Sequence, residues 1–165
     1  MKSKRNILIA LLLIMLGGMS GLKAQDVSIA NFDGLRPLLE KKNDTIYVIN
    51  FWATWCKPCV EELPFFEQLA QTKFDTPVRI ILVSLDFKSQ LKAKLIPFVK
   101  AHPQLPEVIL LSDPDSNKWI PEVDKDWGGA IPVTLVYQGS KRKFKDDAFE
   151  NFDDLMQFLQ SFLKS

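Results

Sequence analysis

The chain is poor in the residues that build most metal and cofactor sites. Among its 165 residues there are two cysteines and one histidine. A structural zinc site needs four ligands, typically two cysteine pairs or one pair with two histidines. One pair plus the remote His102, followed by Pro103, does not complete that set. A cuprous ion favours thiolates, so copper binding by the pair alone stays open as an alternative. No flavin or nicotinamide motif occurs, and no cofactor is expected. Lys and Arg total 21 against 20 Asp and Glu, without a basic cluster, which argues against nucleic acid as a partner. Asp113-Pro114-Asp115-Ser116-Asn117 imitates the start of a calcium loop. Lys118 stands where that loop needs glycine, and Asp124 where it needs glutamate. The segment reads instead as a turn capping the next helix. There are no internal repeats or linkers.

Long apolar runs are missing too, apart from Ile7–Leu16, which is short for a membrane span. Lys2, Lys4 and Arg5 precede it. Gly17, Gly18, Ser20 and Gly21 follow, leading to Leu22-Lys23-Ala24. This order of charge, apolar run and small residue is that of a secretory signal peptide over residues 1–24, cleaved after Ala24. An uncleaved N-terminal anchor is the alternative. No cysteine lies near the cut, which excludes a lipid-modified N-terminal cysteine. Residues 25–165 then form one α/β domain in an extracytoplasmic, periplasm-like compartment. Losing Lys2, Lys4, Arg5 and Lys23 turns the small basic excess acidic.

Export changes the meaning of the cysteines, because disulfides persist in oxidising compartments. Cys56 and Cys59 are three positions apart. A disulfide stabilises mainly by restricting the unfolded chain: a 15-residue loop gives about 3 kcal/mol, and so short a loop gives less. A staple between near neighbours is therefore a poor use of the only pair. The surroundings favour redox chemistry. Thr45–Phe51 is β-branched and aromatic, as expected of a strand buried on both faces. After Cys56 the apolar period becomes helical, with Val60, Leu63, Phe66, Leu69 and Ala70 on one stripe. The cysteines thus fall where a strand ends and a helix begins. Unpaired amides and the macrodipole favour a thiolate there, and Pro58 suits the first helical turn.

The segment Phe51-Trp52-Ala53-Thr54-Trp55-Cys56-Lys57-Pro58-Cys59 resembles the active-site segment of the thioredoxin superfamily. Gly129-Ala130-Ile131-Pro132-Val133-Thr134 resembles the loop that carries its cis-proline. From the residues alone, Gly128-Gly129 permits a tight turn and Pro132 stands at the start of an apolar strand. Thioredoxin itself has a buried aspartate where this chain has Asn50. The Asn-Phe-Trp-Ala-Thr-Trp-Cys run, with Glu62 and Pro64 after the pair, resembles the exported TlpA/ResA-like thiol-disulfide oxidoreductases, although Ile49 replaces their usual valine. The resemblance covers nearly all of residues 25–165. It implies a thioredoxin-like α/β fold, a central mixed β-sheet flanked by helices, with an extra helix-strand insertion over residues 88–112 before the cis-proline loop. Peroxiredoxins share that insertion but need Pro-x-x-x-Thr-x-x-Cys. Ile49 and Ala53 occupy the Pro and Thr positions, which disfavours a peroxidase.

Other elements follow from pattern. Val78–Ser84 reads as a buried strand, residues 90–101 as a helix kinked or restarted at Pro97, and Val108–Leu111 as a short strand. Residues 115–126 read as a helix, Val133–Tyr137 and 142–144 as strands joined by a turn at Gly139. A closing helix is capped by Asn151, with Phe152, Leu155, Leu159 and Phe162 as its apolar face.

The resemblance implies roles. Cys56 is the nucleophile that forms a mixed disulfide, and Cys59 resolves it. Glu62, one turn beyond Cys59, either serves as its acid–base group or is a surface glutamate beside Glu61. Lys57 either lowers the thiolate pKa or is simply solvated, and Pro58 stiffens the loop. Trp55 shapes the docking surface, whereas Trp52 packs in the core. Pro132 holds a substrate chain extended, with Ile131 beside it. Trp127 lines that rim or packs inside. Pro58 in place of a histidine leans toward a reductase rather than an oxidase or isomerase. Without a nucleotide motif, electrons must come from a membrane protein or another thiol protein. The substrate is a disulfide-containing protein; apocytochrome thiols awaiting haem are one candidate. Oligomeric state is silent in the sequence.

Overall fold

The computed structural model describes residues 26–164, so the expected leader over residues 1–24 and its cleavage site lie outside them. Six strands and five α-helices alternate among the described residues. The strands are β1 (Ser28–Ala30), β2 (Ile46–Trp52), β3 (Val78–Ser84), β4 (Glu107–Leu111), β5 (Val133–Gln138) and β6 (Lys141–Lys145). The helices are α1 (Phe32–Leu39), α2 (Lys57–Gln71), α3 (Ile96–Ala101), α4 (Ser116–Val123) and α5 (Phe152–Lys164). The sheet order is β1-β4-β3-β2-β5-β6. The first four strands in that order run parallel, and β5 and β6 add an antiparallel edge. This is the mixed, helix-flanked sheet expected from the resemblance.

Every residue of β2 is buried, so its alternating side chains feed two cores. Ile46, Val48 and Trp52 meet Leu63, Phe66 and Leu69 of α2 together with Leu155, Leu159 and Phe162 of α5. Tyr47, Ile49 and Phe51 meet Phe32, Leu35 and Leu39 of α1 together with Trp119 and Val123 of α4. Asn50 falls on the α2 face by the same alternation. It is the one polar side chain in a strand otherwise filled with apolar and aromatic ones.

Several expectations need correction. Ala70 is exposed and does not belong to the α2 stripe. Glu62 and Cys59 are buried on that helix instead. The helix expected over residues 90–101, restarting at Pro97, is present: after a 3₁₀ turn at Lys88–Gln90 it runs as a π turn at Leu91–Leu95 and restarts as α3 at Ile96. Pro97 has no N–H to give the preceding turn and sits in the first turn of α3, where none is needed. The helix expected over 115–126 ends at Val123, because the Asp124 side chain accepts from the Asp126 amide and turns the chain away. Asp115 stands at its N-cap position without a side-chain capping bond; the turn over Asp113–Asn117 is held instead by Asp113, which accepts from Asp115 N and from Phe32 N, each at 3.0 Å. Residues 26–44 carried no expectation. They form β1, too short to show a period, and α1, whose apolar spacing is masked by Pro37. Of the two glycines before the cis-proline loop, only Gly129 has a positive φ, +88°, and a Cβ there would lie 3.1 Å from Ile120 Cδ1.

Candidate active site

Strand β2 ends at Trp52, and the next residues turn sharply into α2. Cys56 N donates to Ala53 O at 3.1 Å, and Cys56 itself is the N-cap of α2, with extended backbone angles and no side-chain capping bond. No acidic residue stands in the first turn, and Pro58 removes one of the free amides. The remaining amides and the helix dipole face the position of the Cys56 sulfur. Cys56 and Cys59 form a disulfide. Their environments differ: Cys56 keeps 7% exposure, while Cys59 is fully enclosed. That asymmetry gives an incoming group access to one sulfur only.

The second predicted signature meets the first in space. Ile131–Pro132 is a cis peptide, and Ile131 O lies 3.7 Å from Cys56 Sγ. Pro132 immediately precedes β5, which pairs antiparallel with β2, so the sheet itself brings residues 75 positions apart together. Trp127 is buried against Phe51, and its indole N–H donates to Ala130 O at 2.7 Å. It therefore supports the loop from inside the core instead of lining a rim. Trp52 is fully buried, whereas Trp55 is 57% exposed beside the disulfide. The Lys57 ammonium is exposed and reaches along α2 to Glu61, 3.5 Å away, as the solvated reading has it.

Glu62 is the unusual group. It is only 1% exposed, and the surface reading is wrong. Oε1 accepts from Asn50 Nδ2 at 2.8 Å, and Oε2 accepts from Phe149 N at 2.8 Å. Burial lifts its pKa from 4.5 to about 7, against the opposing effect of the Phe149 and Asn50 hydrogen bonds. Lys145 lowers it slightly and Asp147 raises it. Asn50 Nδ2 also donates to Thr134 Oγ1 at 3.0 Å, while Asn50 Oδ1 has no partner. Glu62 is thus a buried carboxyl on the same helix as Cys59, beside an amide that presents a donor or, turned over, an acceptor.

The sequence reading missed Phe149, Asp86 and Phe87. Phe149, in the loop before α5, closes over Glu62. Thr54 and Asp86 hydrogen-bond across the ends of β2 and β3, with Thr54 N to Asp86 Oδ2 at 3.0 Å. Phe87 projects at 64% exposure from the same loop as Asp86. The only signal for the second was a polar Ser-Leu-Asp step closing an apolar strand. A groove of about 570 Å³ runs between Phe87, Leu111, Trp119 and Gly129.

The fold and the site define a thioredoxin-like protein, a mixed sheet presenting a Cys-x-x-Cys disulfide at a helix N-terminus opposite a cis-proline. Residues 20–138 match the AhpC/TSA family, and the chain belongs to that family. The thioredoxin-like protein YneN of Bacillus subtilis is 33% identical over 78 residues, covering 47% of this chain and 44% of that one. The thiol-disulfide oxidoreductase ResA of Bacillus thuringiensis is 30% identical over 66 residues, covering 40% of this chain and 38% of that one. The chain thus spans less than half the length of these relatives. Among solved structures, a thioredoxin-related protein from Neisseria meningitidis serogroup B superposes with a TM-score of 0.60 at 21% identity, covering 78% of this chain and 91% of that one, which shows the fold. The resemblance read from the two signatures agrees with the family match, with these relatives and with the shared fold.

Proposed function

We propose that the protein is an exported thiol–disulfide oxidoreductase that reduces protein disulfides through Cys56 and Cys59. The observation that carries this reading is the asymmetric pair: an accessible sulfur at an uncapped helix N-terminus, a buried sulfur behind it, and the Ile131 carbonyl across from the first. In the reduced protein, the Cys56 thiolate attacks one sulfur of a substrate disulfide. A Cys56–substrate disulfide forms, and the substrate's other sulfur leaves as a thiolate that takes a proton from solvent. Cys59 then gives its proton to ionised Glu62 and attacks Cys56 Sγ. The Cys56–Cys59 disulfide forms, and the substrate's second thiolate leaves. Two electrons have passed from the dithiol to the substrate, and a thiol protein or membrane donor must return them. Exposed Trp55, next to Cys56 in the chain, offers an apolar contact for a substrate chain held beside Pro132.

Export rests on the leader-like order of residues 1–24. Reduction rather than oxidation rests on Pro58 in the place before the second cysteine. The deciding measurement is the reduction potential of the pair, read from tryptophan fluorescence against a dithiol buffer, since Trp52 and Trp55 flank the site. A value near or below about −270 mV supports a reductase, and one near about −120 mV makes the pair a disulfide donor.

A further inference from the structure

Asp86 is a buried carboxylate that the exchange reaction above does not use. It is 3% exposed, and none of the ion pairs among the described residues includes it. Its oxygens are satisfied by neutral donors: Thr54 N at 3.0 Å and Ser84 Oγ at 2.8 Å on Oδ2, and the Thr54 hydroxyl on Oδ1. Ser84 Oγ accepts in turn from Asp86 N at 3.1 Å. Burying a carboxyl group is costly unless its oxygens are hydrogen-bonded, and these donors supply those bonds.

The place of this cluster gives it meaning. Thr54 is the middle of the turn that Cys56 N closes on Ala53 O. Leu85 N donates to Trp52 O at 2.7 Å, so the ends of β2 and β3 are joined by backbone as well. On its other side the Cys56 sulfur meets the Ile131 carbonyl. The turn is thus gripped from β3 and faced by the cis-proline loop. None of the Asp86 bonds involves sulfur, so opening the disulfide breaks none of them directly.

We propose that Asp86 is a positioning residue for the dithiol: by holding Thr54 it keeps Cys56 where Cys59 can reach its sulfur in the reduced protein. This rests on the oxidoreductase reading for its purpose, but not for its test. Reacting groups held in place behave as if far more concentrated, and small displacements cost large factors in rate and equilibrium. A loosened turn therefore makes the internal disulfide harder to form and the pair less reducing.

The test uses two variants of the protein, Asp86→Asn, which keeps the shape but one acceptor oxygen, and Thr54→Val, which removes the hydroxyl donor and leaves the amide. Each is equilibrated with dithiothreitol, and the oxidised fraction is read by alkylation and mass. Circular dichroism and urea unfolding report whether the fold is retained. In Asp86→Asn the equilibrium constant for closing the disulfide is expected to fall about tenfold, a potential about 30 mV higher, and in Thr54→Val by a smaller factor. The rate at which Cys59 resolves a Cys56 mixed disulfide should fall with it. Constants within about twofold of the parent in both variants, whatever the loss of stability, overturn the proposal and leave Asp86 a structural tie. If Asp86→Asn does not fold, Thr54→Val decides by the same threshold. The readout needs only two thiols and a small dithiol. A parent that reduces no protein disulfide would count against the proposed function while the variant-to-parent ratio still decides the role of Asp86.

Discussion

Replacing Glu62 by glutamine removes a titration without removing a shape, and the structure says what this does to stability. The carboxyl has a folded pKa of about 7 against an ordinary 4.5. Below about pH 4.5 both folded and unfolded chains carry the proton, and the full benefit of burying a neutral acid is present. Between there and about 7 the unfolded chain has released it while the folded chain keeps it. Stability therefore falls as pH rises through this window, at up to about 1.4 kcal/mol per unit, and levels off above it. Summed over the window, the parent loses about 3 kcal/mol that Glu62→Gln does not. The other clear shifts lie elsewhere: Arg36 is raised by its hydrogen bonds to Asp33 and Glu122, Asp113 is lowered by the Phe32 and Asp115 amides, and Tyr137 is raised by burial to about 12. The variant keeps an oxygen for the Phe149 amide. Its new N–H₂ can donate to Asn50 Oδ1 once that amide turns over, with the Thr134 hydroxyl switching from acceptor to donor. Urea unfolding of oxidised parent and variant, at steps from about pH 5 to 8, gives the difference directly and cancels groups common to both. A difference constant to within about 0.5 kcal/mol would refute the buried, proton-holding carboxyl. In turnover, resolution by Cys59 in the variant should slow by about 10² or more and lose its rise with pH through about 7.

Three further outcomes are expected. Cys59→Ser should accumulate a mixed disulfide on Cys56 with a disulfide protein substrate, seen by non-reducing electrophoresis and peptide mass; adducts forming on Cys59 in Cys56→Ser would reverse the roles. Phe66→Ala removes a fully buried ring that meets Phe149 edge-on and should cost about 3–5 kcal/mol in urea unfolding. A cost below about 1 kcal/mol would mean that α2 repacks over the gap. Trp127→Phe keeps an aromatic ring against Phe51 but deletes the bond to Ala130 O. It should cost about 1 kcal/mol and raise KM more than it lowers kcat, because the loop carrying Pro132 loses its support; an unchanged KM would separate that bond from substrate binding.

How much of this was legible beforehand depended on whether a residue's partners were local. The strand–turn–helix around Cys56, the stripe through Leu63, Phe66 and Leu69, and the capped helix after Asn151 are set by residues within a few positions of one another, so period and capping revealed them. The pair's chemistry followed from its place at a helix start. The breaks at Leu91–Leu95 and after Val123 were harder to read. Pro97 announced the restart that is found, but period gives no sign of the π turn before it or of the Asp124 side chain that ends α4.

By itself, then, the sequence determined that a dithiol stands at the tip of a helix, in a mixed sheet, with a proline-bearing strand to follow. What the tertiary structure decided was which distant groups are gathered and buried around that dithiol. Glu62 is one turn from Cys59 in any helix. It became a proton-holding group rather than a surface charge only because Asn50 of β2 and the Phe149 amide enclose it from elements 12 and 87 residues away in sequence. Asp86 reached Thr54 across 32 residues because β2 and β3 lie in parallel register, Trp52 opposite Ser84. Burial is a property of the whole packed chain, and a carboxylate's pKa and purpose follow from its burial.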